Sequence, residues 1–166
     1  MSERSKKIFL AICIIIPFIV YCYVYYSQMF RNAPYRFADF ESIVLAYGEG
    51  DSLVNRFDSK TGIYQYLDRR DSLVSDTVRL RNDDLQYLHG KAAQLGFWNL
   101  PEDMTSAEDN ATAARPAPRF HLQYNYKEKS KTVTLDSDFD GNPKMMEAAK
   151  SVIDEVIRVI NDARDR

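Results

Sequence analysis

One stretch of the sequence has the residue types and spacing of a calcium-binding loop. Residues 136–147, DSDFDGNPKMME, match the pattern D-x-D-x-D-G-x5-E in full. Spaced carboxylates on a tight loop supply the oxygen ligands that Ca²⁺ prefers, and the glycine permits the sharp bend between them. The candidate metal ligands are Asp136, Asp138, Asp140, the backbone carbonyl of Asn142, and Glu147.

Other features of the same stretch favour an ordinary acidic turn. The residues before it have the pattern of a strand, whereas an EF-hand loop follows a helix. Pro143 and Lys144 occupy the eighth and ninth loop positions, and Asn142-Pro143 is typical of a helix start that would turn Glu147 away from the loop. We therefore expect no cofactor, with a calcium-binding or calcium-stabilised domain as the alternative hypothesis.

The two histidines are the next candidates for chemistry. His89 lies beside the apolar stripe of a predicted helix, and His121 lies on the polar side of a predicted strand. General acid–base catalysis would need a carboxylate next to one of them, whereas isolated histidines are more often surface or boundary residues. The sequence contains no nucleophile elbow, zinc-protease, phosphate-loop or dinucleotide motif. We expect a protein that is not an enzyme, and a hydrolase using scattered Asp, Glu and His is the third hypothesis.

Tyrosines recur at alternate positions of two predicted strands. Tyr64 and Tyr66 share one strand face, and Tyr124 and Tyr126 share another. On an exposed surface these rings could stack on sugars or on a partner peptide. A small domain also needs bulky residues in its core, and we favour that role.

The elements that must position these residues follow from hydrophobic periodicity. Alternating apolar residues predict strands, and Phe37, Phe40, Val44 and Tyr47 also fit a competing helical period at the first of them. The predicted strands cover 42–47, 53–57, 63–68, 73–80, 120–126 and 132–135.

Two helices and one loop complete the pattern. The first helix has Asn82 as its N-cap and Gly96 as its stop, and the second starts at Asn142-Pro143. Residues 101–118 are polar and proline-bounded, which predicts a mobile loop. The expected fold class is α+β: an N-terminal transmembrane helix followed by a small antiparallel sheet covered by two helices.

Residues 8–30 form an uncharged apolar run that predicts a transmembrane anchor in the lipid bilayer. A basic flank at residues 1–7 precedes it, a connector at 31–41 follows it, and the α+β domain takes 42–166. The basic flank favours a single-pass protein with a cytoplasmic N-terminus and an extracytoplasmic domain. A cleaved signal peptide and lipidation at Cys13 are the alternatives.

Charge and cysteine content restrict the partners. The first seven residues hold three of the 22 basic and one of the 24 acidic side chains, so residues 31–166 carry 19 basic and 23 acidic ones, a net charge of −4. We expect no nucleic-acid partner, since phosphate binding needs a basic surface. Both cysteines, Cys13 and Cys22, lie in the apolar run, so the domain has neither disulfide nor thiolate chemistry.

The stretch LRNDDLQYLHGKAAQLGFWNLP after a strand pair resembles small uncharacterised bacterial envelope proteins, in which a hairpin leads to a helix ending in a glycine-aromatic step. The resemblance implies an envelope location and no particular chemistry. The leading expectation is a membrane-anchored, non-enzymatic interaction or structural module of the cell envelope. Its partner would be an unidentified protein or glycan.

Overall fold

The computed structural model describes residue 9 and residues 12–23, 35–106 and 117–166. The chain divides into two compact units, Met1–Pro34 and Tyr35–Arg166. In the first unit, residues 12–23 are helical.

The described residues contradict the predicted transmembrane anchor at 8–30. None of the helices among them combines the length and the apolar character that a bilayer crossing requires. The predicted single-pass, signal-anchored membrane protein with a cytoplasmic N-terminus is therefore corrected. The rest of the predicted span, residues 8, 10–11 and 24–30, lies outside the described residues.

The second unit is an α+β domain built on a seven-stranded sheet. The strands lie in the order β4-β3-β2-β1-β6-β7-β5. Their bounds are β1 Phe40–Glu49, β2 Ser52–Asp58, β3 Ile63–Leu67, β4 Leu73–Thr77, β5 Asp103–Met104, β6 Pro118–Tyr126 and β7 Ser130–Asp136.

The sheet is mixed, which corrects the expected antiparallel sheet. β5 pairs with β7 in parallel, and every other pairing is antiparallel. A strand as short as Asp103–Met104 has no hydrophobic period of its own, so the sequence predicted only a loop there. Most of the remaining loop, residues 107–116, lies outside the described residues.

Helices α1 (Asn82–Gln94) and α2 (Pro143–Arg164) start and stop where local chemistry favours it. The Asn142 side chain accepts a hydrogen bond from the Lys144 backbone amide at 3.0 Å, which confirms the predicted cap. Gly96 follows the end of α1 with φ of 75°, a left-handed conformation that favours glycine, so the predicted stop is also confirmed. Arg81, rather than Asn82, is the N-cap of α1.

The hydrophobic core lies on one face of the sheet. Leu45 on the central strand stands opposite Phe57 on one neighbour and Leu122 on the other, and all three are fully buried. Leu88 of α1 and Ile153 of α2 belong to the same buried cluster, so the two helices cover this face. Tyrosines contribute to the core as expected: Tyr64, Tyr124 and Tyr126 are buried, and Tyr66 is partly buried against them.

The position of Leu45 leads to a stability prediction. We expect Leu45→Ala to lower the free energy of unfolding by about 2–5 kcal/mol, since it leaves a cavity in a filled core. Leu73→Ala, at a 60% exposed position of β4, is the control and should change it by less than about 0.5 kcal/mol. Urea unfolding followed by circular dichroism measures both. Equal destabilisation by the two variants would contradict the one-sided core.

Candidate functional site

Asp136, the first residue of the acidic motif, forms a buried ion pair. Asp136 ends β7, its side chain is 0% exposed, and it stands opposite Arg119 of β6. Arg119 donates from Nε to Oδ1 at 2.6 Å and from Nη2 to Oδ2 at 2.9 Å, and its Nη1 also contacts the Asp51 carboxylate. The hydrogen bond to Asp136 is the main reason that the pKa of Arg119 is raised. Both carboxylate oxygens of Asp136 therefore already accept hydrogen bonds from a cation.

The remaining motif residues have separate local roles. Asp138 accepts a hydrogen bond from Ser106 Oγ at 2.7 Å, while the Ser106 backbone amide donates to Asp136 at 3.1 Å. A Cβ at Gly141 would lie 2.2 Å from the ring of Phe139, so a larger residue there would require that ring to move. The motif thus fastens the segment that ends at Ser106 to the end of β7.

The remaining predicted calcium ligands do not surround a common site. Asp140 and Glu147 are exposed, and Asn142 uses its side chain to cap α2. Across residues 35–106 and 117–166, no cluster of three or more His, Cys, Asp or Glu residues has the arrangement of a metal site. Calcium binding at this loop stays a prediction.

The ion pair generates a second prediction. Arg119→Met leaves the buried Asp136 carboxylate without its cation, and we expect a loss of about 3–5 kcal/mol in the free energy of unfolding. Arg119→Met combined with Asp136→Leu removes both charges and should recover most of that loss. Chemical denaturation of the two variants and the wild type tests this. A double variant as unstable as the single one would contradict the assignment.

The His89 side chain of α1 lies in a cluster of aromatic rings. Its ring centroid is 5.4 Å from that of Trp98 and 6.0 Å from that of Tyr126. Burial lowers the pKa of His89 below its ordinary value, and the backbone of Tyr35 acts in the opposite direction. Within the described residues, the buried atoms His89 Nε2, Trp98 Nε1 and Tyr126 Oη have no hydrogen-bond partner.

His121 lies on the other face of the sheet. Its Nδ1 is 3.1 Å from Thr134 Oγ1 on the neighbouring strand. Its pKa is also lowered, first by burial and then by the positive charge of Arg56. Within residues 35–106 and 117–166, the contacts of the two histidines are aromatic rings and a hydroxyl, and neither histidine is paired with a carboxylate there.

The lowered pKa of His89 predicts a pH dependence of stability. The folded state disfavours the charged imidazole, so its contribution is complete above the ordinary pKa of 6.5 and is lost as the pH falls through the lower folded value. His89→Phe should therefore weaken the fall in unfolding free energy between about pH 7 and about pH 5. Urea unfolding at the two pH values measures it, and His121→Gln measures the same effect at the second histidine, whose pKa is also lowered. An unchanged pH dependence in His89→Phe would contradict the prediction.

The face of the sheet that the helices leave open carries an aliphatic patch. Leu67 of β3 and Leu73 of β4 are directly opposite each other, and Val54 of β2 continues the row. Their exposed fractions are 38%, 60% and 39%, respectively. The rest of this face is mostly polar, with Arg56, Gln65, Ser75, His121, Gln123 and Asn125, and it also carries the aliphatic residues Val44, Ala46 and Ile63.

Sequence reasoning missed this patch, defined here as Val54, Leu67 and Leu73. The signal was present: in IYQYL the aliphatic residues alternate with Tyr64 and Tyr66, so either set could face the core. Burial of the tyrosines decides the question and places Leu67 outside.

No protein-family model matches the chain, and no curated protein matches it.

Proposed function

We propose that the domain is a non-enzymatic binding module for a protein partner, and that the partner docks on the patch of Val54, Leu67 and Leu73. The observation that supports this most is the directly paired Leu67 and Leu73, both exposed on a face that no described helix covers. Scattered exposed aliphatic residues need no explanation, but neighbours on three consecutive strands form a contiguous apolar surface.

The chemistry of this surface favours a protein over other partners. Glycan recognition relies on exposed aromatic rings, whereas Tyr64 and Tyr124 are buried on the opposite face. Nucleic acid is disfavoured by the net charge of −4 over residues 31–166. An apolar centre with a charged rim is the usual composition of a protein interface, and Asp68, Arg69, Arg70 and Asp71 border the patch at the turn from β3 to β4.

Docking on the face is favoured over the addition of a strand to the edge. β4 is an edge strand. The backbone amide of Val78, just after β4, donates a hydrogen bond to the carbonyl of Gly62 in the turn before β3. The Thr77 amide is occupied by the Asp76 carboxylate at 2.7 Å. A charged side chain on an outward amide is one way in which proteins block edge-to-edge pairing.

The test compares two variants of the full chain in photo-crosslinking. Leu67→Lys with Leu73→Lys places two charges in the patch, whereas Ile63→Lys places one at an exposed aliphatic position at the other end of β3. A photoreactive residue at position 75 of β4 lies on the same face of the sheet as Leu73. It should capture the partner in extracts of the native source. We expect the double variant to reduce that adduct at least about tenfold, since lysines at an interface centre cost more than about 1.4 kcal/mol.

The outcomes separate docking from misfolding. Both variants change exposed positions, so their free energies of unfolding should stay within about 0.5 kcal/mol of the wild type. Retention of the adduct in Ile63→Lys and its loss in the double variant would support the proposal. Equal adduct yields in all three proteins would overturn it, as would loss in both variants.

A further inference from the structure

A polar pocket lies at the end of β3 opposite to the patch. The turn from β2 to β3 and the segment that leads into α1 line a groove of about 280 Å³ that is open to solvent. The lining residues are Ser59, Lys60, Thr61, Gly62, Arg79 and Leu80. Two of the six are cationic and none is acidic.

Hydrogen bonds fix the shape of this turn. The Asp58 carboxylate accepts from the Lys60 amide at 2.8 Å, and the Asp58 carbonyl accepts from the Gly62 amide at 2.8 Å. Gly62 has φ of 72°, which favours glycine, and its carbonyl accepts from the Val78 amide at 2.8 Å. The last bond joins the turn to the segment that carries Arg79, so the two cations belong to one braced unit.

The residues around the pocket leave its cations available. Among the residues that the structure describes, Lys60 has one ion pair, with Glu41 at 3.8 Å. The two side chains are 70% and 42% exposed, so this contact is weak and screened by solvent. Arg79 packs against Gly62, where a Cβ would lie 3.4 Å from its Cγ, and its guanidinium has no ion pair within the described residues. Asp58 directs its carboxylate to the Lys60 amide.

Hydroxyl groups complete the set of donors. Ser59 Oγ accepts a hydrogen bond from the Ile43 amide at 2.8 Å, which leaves its own O–H to donate. A guanidinium, an ammonium and a hydroxyl are the donors that suit a tetrahedral oxyanion, since they give charge-assisted hydrogen bonds in several directions.

We propose that this pocket binds a phosphate or sulfate group carried by a small molecule, with Lys60, Arg79 and Ser59 as the ligands of the anion. The volume exceeds that of a bare oxyanion, so the pocket also holds part of the group that bears it. This site is separate from the docking patch, and neither proposal depends on the other.

Calorimetric titration of the full chain with inorganic phosphate, and separately with sulfate, tests the proposal at constant ionic strength with chloride as the reference. We expect saturable binding with a dissociation constant of about 1 mM, as befits a fragment of the ligand. Lys60→Met with Arg79→Met should weaken it at least about tenfold through loss of two charge-assisted contacts. Arg70→Met, at an exposed arginine of the turn from β3 to β4, is the matched control and should bind as the wild type does.

A charge-retaining swap makes the result independent of folding. Lys60→Arg with Arg79→Lys keeps both cations and should bind more tightly than the doubly neutralised variant, since the Coulomb attraction for the anion is retained. The stronger of the phosphate and sulfate responses identifies the class of ester. Absence of saturable binding up to about 20 mM, or equal binding by the wild type and the doubly neutralised variant, would overturn the proposal.

Discussion

One-sided burial is the constraint on which the rest of this domain depends. Seven strands present two faces, and the two helices of the domain cover one of them. Leu45, Phe57 and Leu122 occupy neighbouring positions on that face, and a shift of one residue in any strand would expose them. The register is therefore strongly specified, and the opposite face carries mostly polar side chains together with the patch.

The acidic motif illustrates how tertiary contact changes the meaning of a pattern. Its spacing satisfies a calcium-loop template, yet Asp136 is paired with Arg119 from the adjacent strand. That pairing follows from the antiparallel register of β6 and β7, in which the two residues stand opposite each other. A buried carboxylate without that cation would be costly, so the ion pair explains the first aspartate of the motif on structural grounds. The helix cap at Asn142 and the ring over Gly141 explain two further positions.

The two proposed surfaces use opposite ends of β3 and different chemistry. The patch is aliphatic and flat, as suits a protein partner, whereas the pocket at the β2–β3 turn is concave and cationic, as suits a small anion. Neither required a sequence motif. Each brings together residues from separate segments: Leu67 and Leu73 are paired across two strands, and Lys60 and Arg79 line one pocket.

The sequence by itself determined the local features: the alternation of the strands, the cap at Asn142 and the stop at Gly96. These depend on neighbours within a few residues, so local propensity and period suffice. Local hydropathy also predicted a membrane span at 8–30, which the described residues contradict. Only the tertiary structure decided the parallel pairing of β5 with β7, the Arg119–Asp136 ion pair and the face on which Leu67 lies. Those depend on contacts between residues far apart in the chain, which no local pattern specifies.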